Sequence, residues 1–306
     1  MPSWAWVAIV LFAALAQTAR NAAQRSLVAQ AGTLGATLSR FLYGIPFAAL
    51  WVAALHAVPA SAGAVPRFHG AYFAWLLLGA LGQLGATAAL LAAMKQRNFV
   101  IGVAYSKTDA LQVAIFATLF LRELPGWITL AAMALATAGV VLLSLPAKGG
   151  ALRVADPRTW TGPAAWWGLA SGAGFALSAV GYRGAALQLP DSPAWLVGAW
   201  GVLWAQMIQS ALLGGWLAWR SPASLKAIVT AWRVSMVAGA AGAIASAGWF
   251  TAFALTSAAN VRTLGMVEVV FSYLVSHRVM SERLTRTERF GLAGVVLGVL
   301  LLCAQL

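Results

Sequence analysis

Apolar residues gather in ten runs along the chain: 4–27, 34–55, 71–93, 99–121, 126–145, 162–186, 193–218, 233–255, 260–280 and 288–305. Each is near the ~20 residues that a helix needs to cross a ~30 Å hydrocarbon layer. The connections are short, except 146–161 (PAKGGALRVADPRTWT), which is rich in Gly, Pro and charge and falls at the middle of the chain. It reads as a linker, 149–161, between two five-helix halves, 1–148 and 162–306. The pattern predicts an all-α membrane protein of ten transmembrane helices.

Two of the runs carry an acid at mid-depth. In FVIGVAYSKTDALQVAIFATLFLRE (99–123), Asp109 lies ten residues after Phe99, or ~15 Å along a helix axis. Glu268 holds the corresponding place in the ninth run. A charge at that depth is costly and faces a cavity or a partner. An offset of 159 aligns Asp109 with Glu268, Glu123 with Glu282 and Gly139 with Gly298. Overall identity at that offset is low, but the anchors share residue type and place. An odd number of helices per half inserts the halves in opposite senses. Inverted repeats with a site at their midplane are a recurrent transporter design.

Composition agrees with a bilayer. Of 306 residues, 61% are hydrophobic and 9% charged, against about 25% charged in soluble domains. The formal charge of +13 does not point to nucleic acid, because the basic residues sit between apolar runs and do not gather on one face. They orient the chain instead. All 20 Lys and Arg except Arg67, Arg122, Arg183 and Arg262 belong to odd-numbered connections. The positive-inside rule makes those connections cytoplasmic and both termini external. Trp4, Trp6, Trp51, Trp75, Trp127, Trp160, Trp216, Trp219 and Trp232 lie near run ends, as interfacial belts require. The N-terminal MPSWAWVAIV lacks a basic stretch before its apolar run and reads as the first spanning helix, not a cleaved signal. Cys303, the single cysteine, excludes an intrachain disulfide. His56, His69 and His277 show no ligand spacing, and neither a GxSxG elbow nor a P-loop occurs. No metal, cofactor or enzymatic activity is expected.

The candidate site residues are polar positions inside the runs. Gln112 and Tyr105 share a helix face with Asp109 if the helix is continuous. Asp109 is either a proton or cation site or a structural partner of Lys or Arg. Lys107 points away from Asp109 on a straight helix and pairs with it only if the helix is broken; otherwise it answers another acid or a substrate carboxylate. Glu268 shares a face with Gly265 and Ser272, and Lys107 or Arg40 would be its partner. Arg262 is expected to snorkel toward the outer surface.

On the first run Gln17, Arg20, Asn21, Gln24 and Arg25 form one polar stripe, which lines a cavity or anchors the cytoplasmic end. Arg40, with Thr37 and Tyr43, is an anion contact or an interface anchor. Gln83 is a candidate hydrogen-bonding group, and the Gly79, Gly82 and Gly85 around it permit close packing. Gly239, Gly242 and Ser246 form a similar seam. Trp200 and Trp204 are a packing pair or a stacking wall for a substrate. Glu123 and Glu282 read as structural, paired with Arg122, Arg278 or Arg283.

Several stretches resemble the drug/metabolite transporter superfamily, EamA type: RNAAQRSL (20–27), ATLSRFLYGIPFA (36–48), LFLRELPG (119–126), VRTLGMVEVVFSYLVSHRVMSERL (261–284) and SERLTRTERFGLAGVVLG (281–298). The resemblance spans the whole chain and rests on the order and spacing of these stretches. It implies a ten-helix secondary transporter, often an exporter of small metabolites, with cytoplasmic termini where the charge count puts them outside. The expected function is proton-coupled export of a small polar or zwitterionic, amino-acid-like solute from the bacterial inner membrane, with Asp109 and Glu268 as coupling carboxyls. Efflux of cationic or aromatic drugs is the alternative. A lipid-linked carrier or assembly protein without a solute cycle is a third reading.

Overall fold

A computed structural model describes residues 4–58, 64–96, 104–144, 161–271 and 286–305, apart from the side chains of 22–25, 144 and 286. The expected linker falls outside the described residues except for Thr161, as do Ser272, His277, Arg278, Glu282 and Arg283. Every described element is helical: α1 Ala5–Leu42, α2 Ile45–Ala57, α3 Gly70–Met94, α4 Asp109–Phe116, α5 Trp127–Ser144, α6 Pro163–Leu187, α7 Ala194–Arg220, α8 Pro222–Thr230, α9 Trp232–Leu255, α10 Ala258–Gly265 and α11 Arg286–Cys303. Among the described residues, four stretches are long and apolar enough to cross a membrane: Ser26–Ala57, Gly70–Met94, Ala194–Arg220 and Trp232–Leu255. Large apolar side chains point outward along these helices and others, among them Trp127, Trp166, Trp219, Leu119 and Phe290. Hydrocarbon is the solvent that accepts such a surface without penalty.

The helix boundaries follow local chemistry. Gly32 adopts φ 69°, ψ 170° inside α1, a region of backbone space essentially restricted to glycine. It divides α1 into two helical pieces between the first two apolar runs. At Tyr43–Gly44 the second piece passes into α2 with helical dihedrals and a Pro near the new N-terminus. Pro46 has no N–H for the preceding turn, so the ladder is interrupted there without a change of direction in the dihedrals. α4 continues as a π-helical turn, Ala117–Leu121, and stops at Arg122 in the left-handed region.

The chain forms two compact units. Unit 1 is Met1–Ala80 with Gly181–Thr256; unit 2 is Leu81–Val180 with Ser257–Leu306. Each draws on both of the expected five-helix halves. In unit 1, α1 packs along α9, and α7 packs on α9 and α2. Arg183 Nη1 donates to the Phe253 carbonyl at 2.7 Å and so satisfies an end carbonyl of α9, where a cation is favoured. In unit 2, α5 packs along α11. A Cβ on Gly139 would lie 2.5 Å from the Gly291 carbonyl oxygen and 2.6 Å from the Val295 nitrogen. This backbone-to-backbone approach is available to glycine alone. The seam expected around Gln83 is partly realised: Gly79 receives the Tyr182 ring in unit 1, and Gly82 packs on Gly174 and Ser178 in unit 2, whereas Gly85 faces open space.

These packing differences generate a matched test. Gly139→Ala is expected to destabilise the detergent-solubilised chain by about 1–3 kcal/mol, because the two backbones must part. Gly85→Ala should be neutral or stabilising by up to about 1 kcal/mol, since it meets nothing and favours helix. Thermal unfolding of both variants checks the prediction; equal losses would contradict it.

Candidate functional site

The fourth and ninth runs are not continuous helices. Residues 104–106 are helical, Lys107 and Thr108 form a turn, and α4 starts at Asp109. Backbone bonds around the break shorten to three-residue spacing, Lys107 N–H to the Ala104 carbonyl and Thr108 N–H to the Tyr105 carbonyl. Thr108 Oγ1 donates to the Tyr105 carbonyl at 2.7 Å and accepts from Gln112 Nε2 at 2.9 Å. A threonine hydroxyl that bonds local backbone competes with helix continuation. The ninth run breaks in a similar way. α10 begins with the Ser257 hydroxyl accepting from Asn260 N–H, ends at Gly265, turns at Met266 and resumes as helix through Phe271. Met266 lies 159 residues after Lys107, the offset that aligns the two acids.

Asp109 stands in the first turn of α4, and Arg262 stands in the last turn of α10. Each charge complements the helix end that carries it, an acid at an N-terminus and a base at a C-terminus. α4 and α10 pack together, and Arg262 Nη2 donates to Asp109 Oδ2 in an ion pair. Asp109 is buried and Arg262 half-buried. Glu268 lies within Coulombic reach of the same guanidinium. Arg262 was expected to reach toward the membrane surface. It turns inward because a carboxylate in the low-dielectric interior stabilises it more than the interface would. The sequence left it out of the site. Its position in the same run as Glu268, six residues earlier, was the available signal.

The other unit 2 candidates divide. Gln112 sits beside the break, with its Nε2 against Gly172 of α6, where an added Cβ would lie 2.6 Å away. Tyr105 is on the far side of the break. The shared helix face with Asp109 therefore does not exist, since that argument needs an uninterrupted helix. Lys107 lies in the turn and is exposed; Asp109 takes Arg262, not Lys107, as its cation. Gln83 is half-buried in α3, where its carbonyl accepts from Thr87 Oγ1.

In unit 1 the polar stripe of α1 faces its neighbours in part. Trp249 Nε1 of α9 donates to Gln17 Oε1 at 2.9 Å. Arg20 is buried and donates through Nε and Nη2 to Asn21 Oδ1, while Asn21 itself is exposed. The side chain of Gln24 lies outside the described residues. Arg40 is half-buried, its guanidinium 4.5 Å from the centre of the Phe41 ring. Trp200 and Trp204 stack at 6.3 Å and meet Phe68 edge-on. Trp200 donates to His56 Nε2 at 3.2 Å. Trp204 thus packs within an aromatic cluster, the blander of its two readings. A cleft of about 650 Å³ runs among α1, α2, α7 and α9, lined by Phe12, Phe47, Trp51, Trp195 and Ile244, with no charged group in its walls. Among the described residues no three His, Cys, Asp or Glu side chains converge as a metal site would require.

The ion pair predicts a coupling measurable without any substrate. Arg262→Gln should cost about 1–3 kcal/mol, discounted for the partial exposure of the guanidinium. Adding Asp109→Asn should recover part of that loss, because the second change removes the stranded charge. Thermal unfolding of wild type, both single variants and the double variant gives the cycle; strictly additive losses would refute the coupling.

No family model and no curated protein matches the chain. Solved structures do: 26 chains match. One, described only as "Crystal structure of protein", has a TM-score of 0.73 with 19% identity, over 98% of this chain and 96% of its own. The likeness establishes that the fold, end to end, is one already found in solved structures.

Proposed function

We propose that the protein is a secondary active transporter of a small polar metabolite, coupled to protons and working by alternating access. The reading takes the ten apolar runs as ten spans in two inverted halves, as in the EamA-type transporters that the sequence resembles. The observation that carries it is the ion pair between buried Asp109 and half-buried Arg262 at the ends of two broken helices. Broken backbone at membrane depth is tolerated where it is buried in protein or lines a water-filled cavity. Half-helix ends are the parts with which secondary transporters hold ions and substrates. That the breaks are separated by the repeat offset supports the inverted-repeat reading.

The proposed mechanism follows from charge. Ionised Asp109 holds α10 against α4 through Arg262. Protonation of Asp109 leaves the guanidinium with Glu268 as its remaining carboxylate nearby, and the two half-helices lose their tie. A protonation state can then differ in free energy between two conformations, which is the condition for coupling. Export from a bacterial inner membrane, with the odd-numbered connections cytoplasmic, completes the proposal. A second reading is efflux of apolar or aromatic solutes, favoured by the charge-free cleft with Trp51 and Trp195 in its walls.

Proteoliposomes carrying the purified chain and a panel of labelled solutes test the proposal. Imposing a pH gradient should drive flux of at least one polar solute. Asp109→Asn should reduce the gradient-dependent part about tenfold or more, the scale of a lost acid–base group. Flux with unchanged gradient dependence in Asp109→Asn would overturn the coupling role. Accumulation of lipophilic cations alone would favour the second reading. Vesicles impermeable to every solute would return the third.

A further inference from the structure

The middle of α7 carries three buried polar side chains on one face. Gln206, Gln209 and Ser210 are spaced three and four residues apart, which sets them side by side on a helix. They are 3%, 2% and 8% exposed. Gln206 lies twelve residues after Ala194, about 18 Å along the axis. The face therefore stands near the centre of a stretch long enough to span a bilayer. A polar group at that depth is costly unless it is bonded. Gln209 is bonded: its Nε2 donates to the Tyr182 hydroxyl at 3.0 Å. Its two neighbours differ. Gln206 Oε1 and Ser210 Oγ are buried and have no hydrogen-bond partner among the described residues.

The packing of α7 on α1 shows what these two atoms face. A Cβ on Gly44 would lie 2.7 Å from Gln206 Nε2 and 2.8 Å from Gln206 Oε1, so the amide rests against the α1–α2 junction. Six residues earlier, Leu38 meets Gly214, where an added Cβ would lie 3.8 Å from Leu38 Cδ1. The two segments therefore run antiparallel, and Ser210, midway between Gln206 and Gly214, falls opposite the turn Phe41–Leu42. That turn is short of a donor. Gly44 N–H bonds the Phe41 carbonyl at three-residue spacing, and Pro46 brings no N–H to the Leu42 carbonyl. The junction loses a helical donor opposite two unfilled acceptors on α7. Buried polar atoms are normally satisfied, and one that is not calls for a water or a ligand group. A charged group would need an opposite charge when buried, and an amide and a hydroxyl carry none. What matches them is a neutral hydroxyl or amide, which donates and accepts.

We propose that Gln206 and Ser210, opposite the Gly44–Pro46 junction, form a hydrogen-bonding site within unit 1 for a solute bearing uncharged hydroxyl or primary-amide groups, with water in its place when no solute is bound. Gln206 Oε1 accepts from the solute, and Ser210 Oγ donates or accepts. The inference rests on the transport reading and narrows its cargo. The sequence suggests a zwitterion, because acids and bases both lie inside the runs, and the seventh run is read there only for Trp200 and Trp204. Neutral dipoles at the centre of α7 select by hydrogen bonding instead of charge. A site built this way rejects an analogue that lacks the donor, because its own buried atoms are then left unpaired.

The test uses the full chain in nanodiscs, with Cys303→Ser removing the single cysteine and Ser210→Cys placing a thiol at the site. Methyl methanethiosulfonate, small and uncharged, reacts with the thiolate, which forms only where water reaches it. Ser235→Cys in the same background is the control, since Ser235 is buried and its hydroxyl already donates to the Ile228 carbonyl at 2.9 Å. The thiol at position 210 should react about tenfold faster or more than the one at 235. Glycerol and acetamide should slow it saturably, by about threefold or more, and succinate and choline should not. Gln206→Leu should weaken that protection about tenfold. Equilibrium dialysis of labelled glycerol against the chain with Ser210 intact, with and without Gln206→Leu, decides the matter if the thiol variant does not fold. Equal rates at the two positions, protection by succinate or choline as strong as by glycerol, or wild-type glycerol affinity in Gln206→Leu overturns the site. Reaction at 210 that neither neutral probe slows assigns the two atoms to water and overturns the solute assignment. Saturable glycerol binding without gradient-driven flux of any solute would leave the site standing and defeat the transport reading; gradient-driven flux with neither probe bound would do the reverse.

Discussion

A charge in a bilayer interior has no water to solvate it and must find its opposite within the protein. A charge in a low-dielectric protein interior is under the same constraint, the Asp109–Arg262 pair meets it, and much of unit 2 follows from it. The acid must sit at the start of a helix and the base at the end of one, or the helix dipoles would work against the pair. Both helices are therefore interrupted at that point, not merely bent. Interruption frees backbone donors and acceptors, and the neighbours supply partners. Thr108 bonds the Tyr105 carbonyl, Gln112 bonds Thr108, and the turn at Met266 closes with a three-residue bond to Thr263. The small Gly172 on α6 then leaves room for the Gln112 amide.

The same economy of charge separates the two units. Of the seven acids in the chain, Asp191 alone belongs to unit 1. Unit 2 holds the carboxyls on which proton coupling would depend, and unit 1 holds cations in excess. Close packing makes this possible in both. Glycines in α9 admit the Tyr43 backbone and the arginine stems of α1, and glycines in α5 and α11 bring those backbones into contact. Where lipid is as apolar as the side chains, association depends on such close approach and on interhelical hydrogen bonds more than on the hydrophobic effect. Gln209 donating to the Tyr182 hydroxyl, and Ser171 to the Ala86 carbonyl, belong to that class.

How far the sequence could be read depends on which forces are local. Spans follow from length and hydropathy, and the helices α3, α7 and α9 lie where the third, seventh and eighth runs placed them. The division near residue 32 was legible only as the gap between the first two apolar runs, 4–27 and 34–55; that Gly32 makes it is a finding of the structure. The break at Lys107–Thr108 was not legible, because Thr108 has no forbidden backbone and acts only through bonds to Tyr105 and Gln112. Once that break is missed, face arguments fail beyond it. Tyr105 was grouped with Asp109 on a periodicity that the chain abandons between them. Arg262 was misjudged for a related reason. Its depth alone suggested an escape to the interface, and only the packing of α10 on α4 shows a carboxylate nearer than the surface. Gly242 was read as part of a packing seam; that its open face is filled by two arginines depends on α1 doubling back at Gly32, a long-range fact.

A buried ion pair is a poor device for stability alone. Desolvating both partners offsets most of their attraction, and apolar residues of equal volume often do as well or better. What the pair offers is sensitivity, since removing one charge strands the other. Arg262 has a second acid within reach in Glu268, so loss of the first partner need not leave the cation bare. Exchange between two acids converts a large electrostatic penalty into a smaller difference between two arrangements. A conformational equilibrium can be moved only by the difference in binding free energy between its states. On the proposed mechanism, a second acid near the cation of the Asp109–Arg262 pair would keep that difference within range of a single proton.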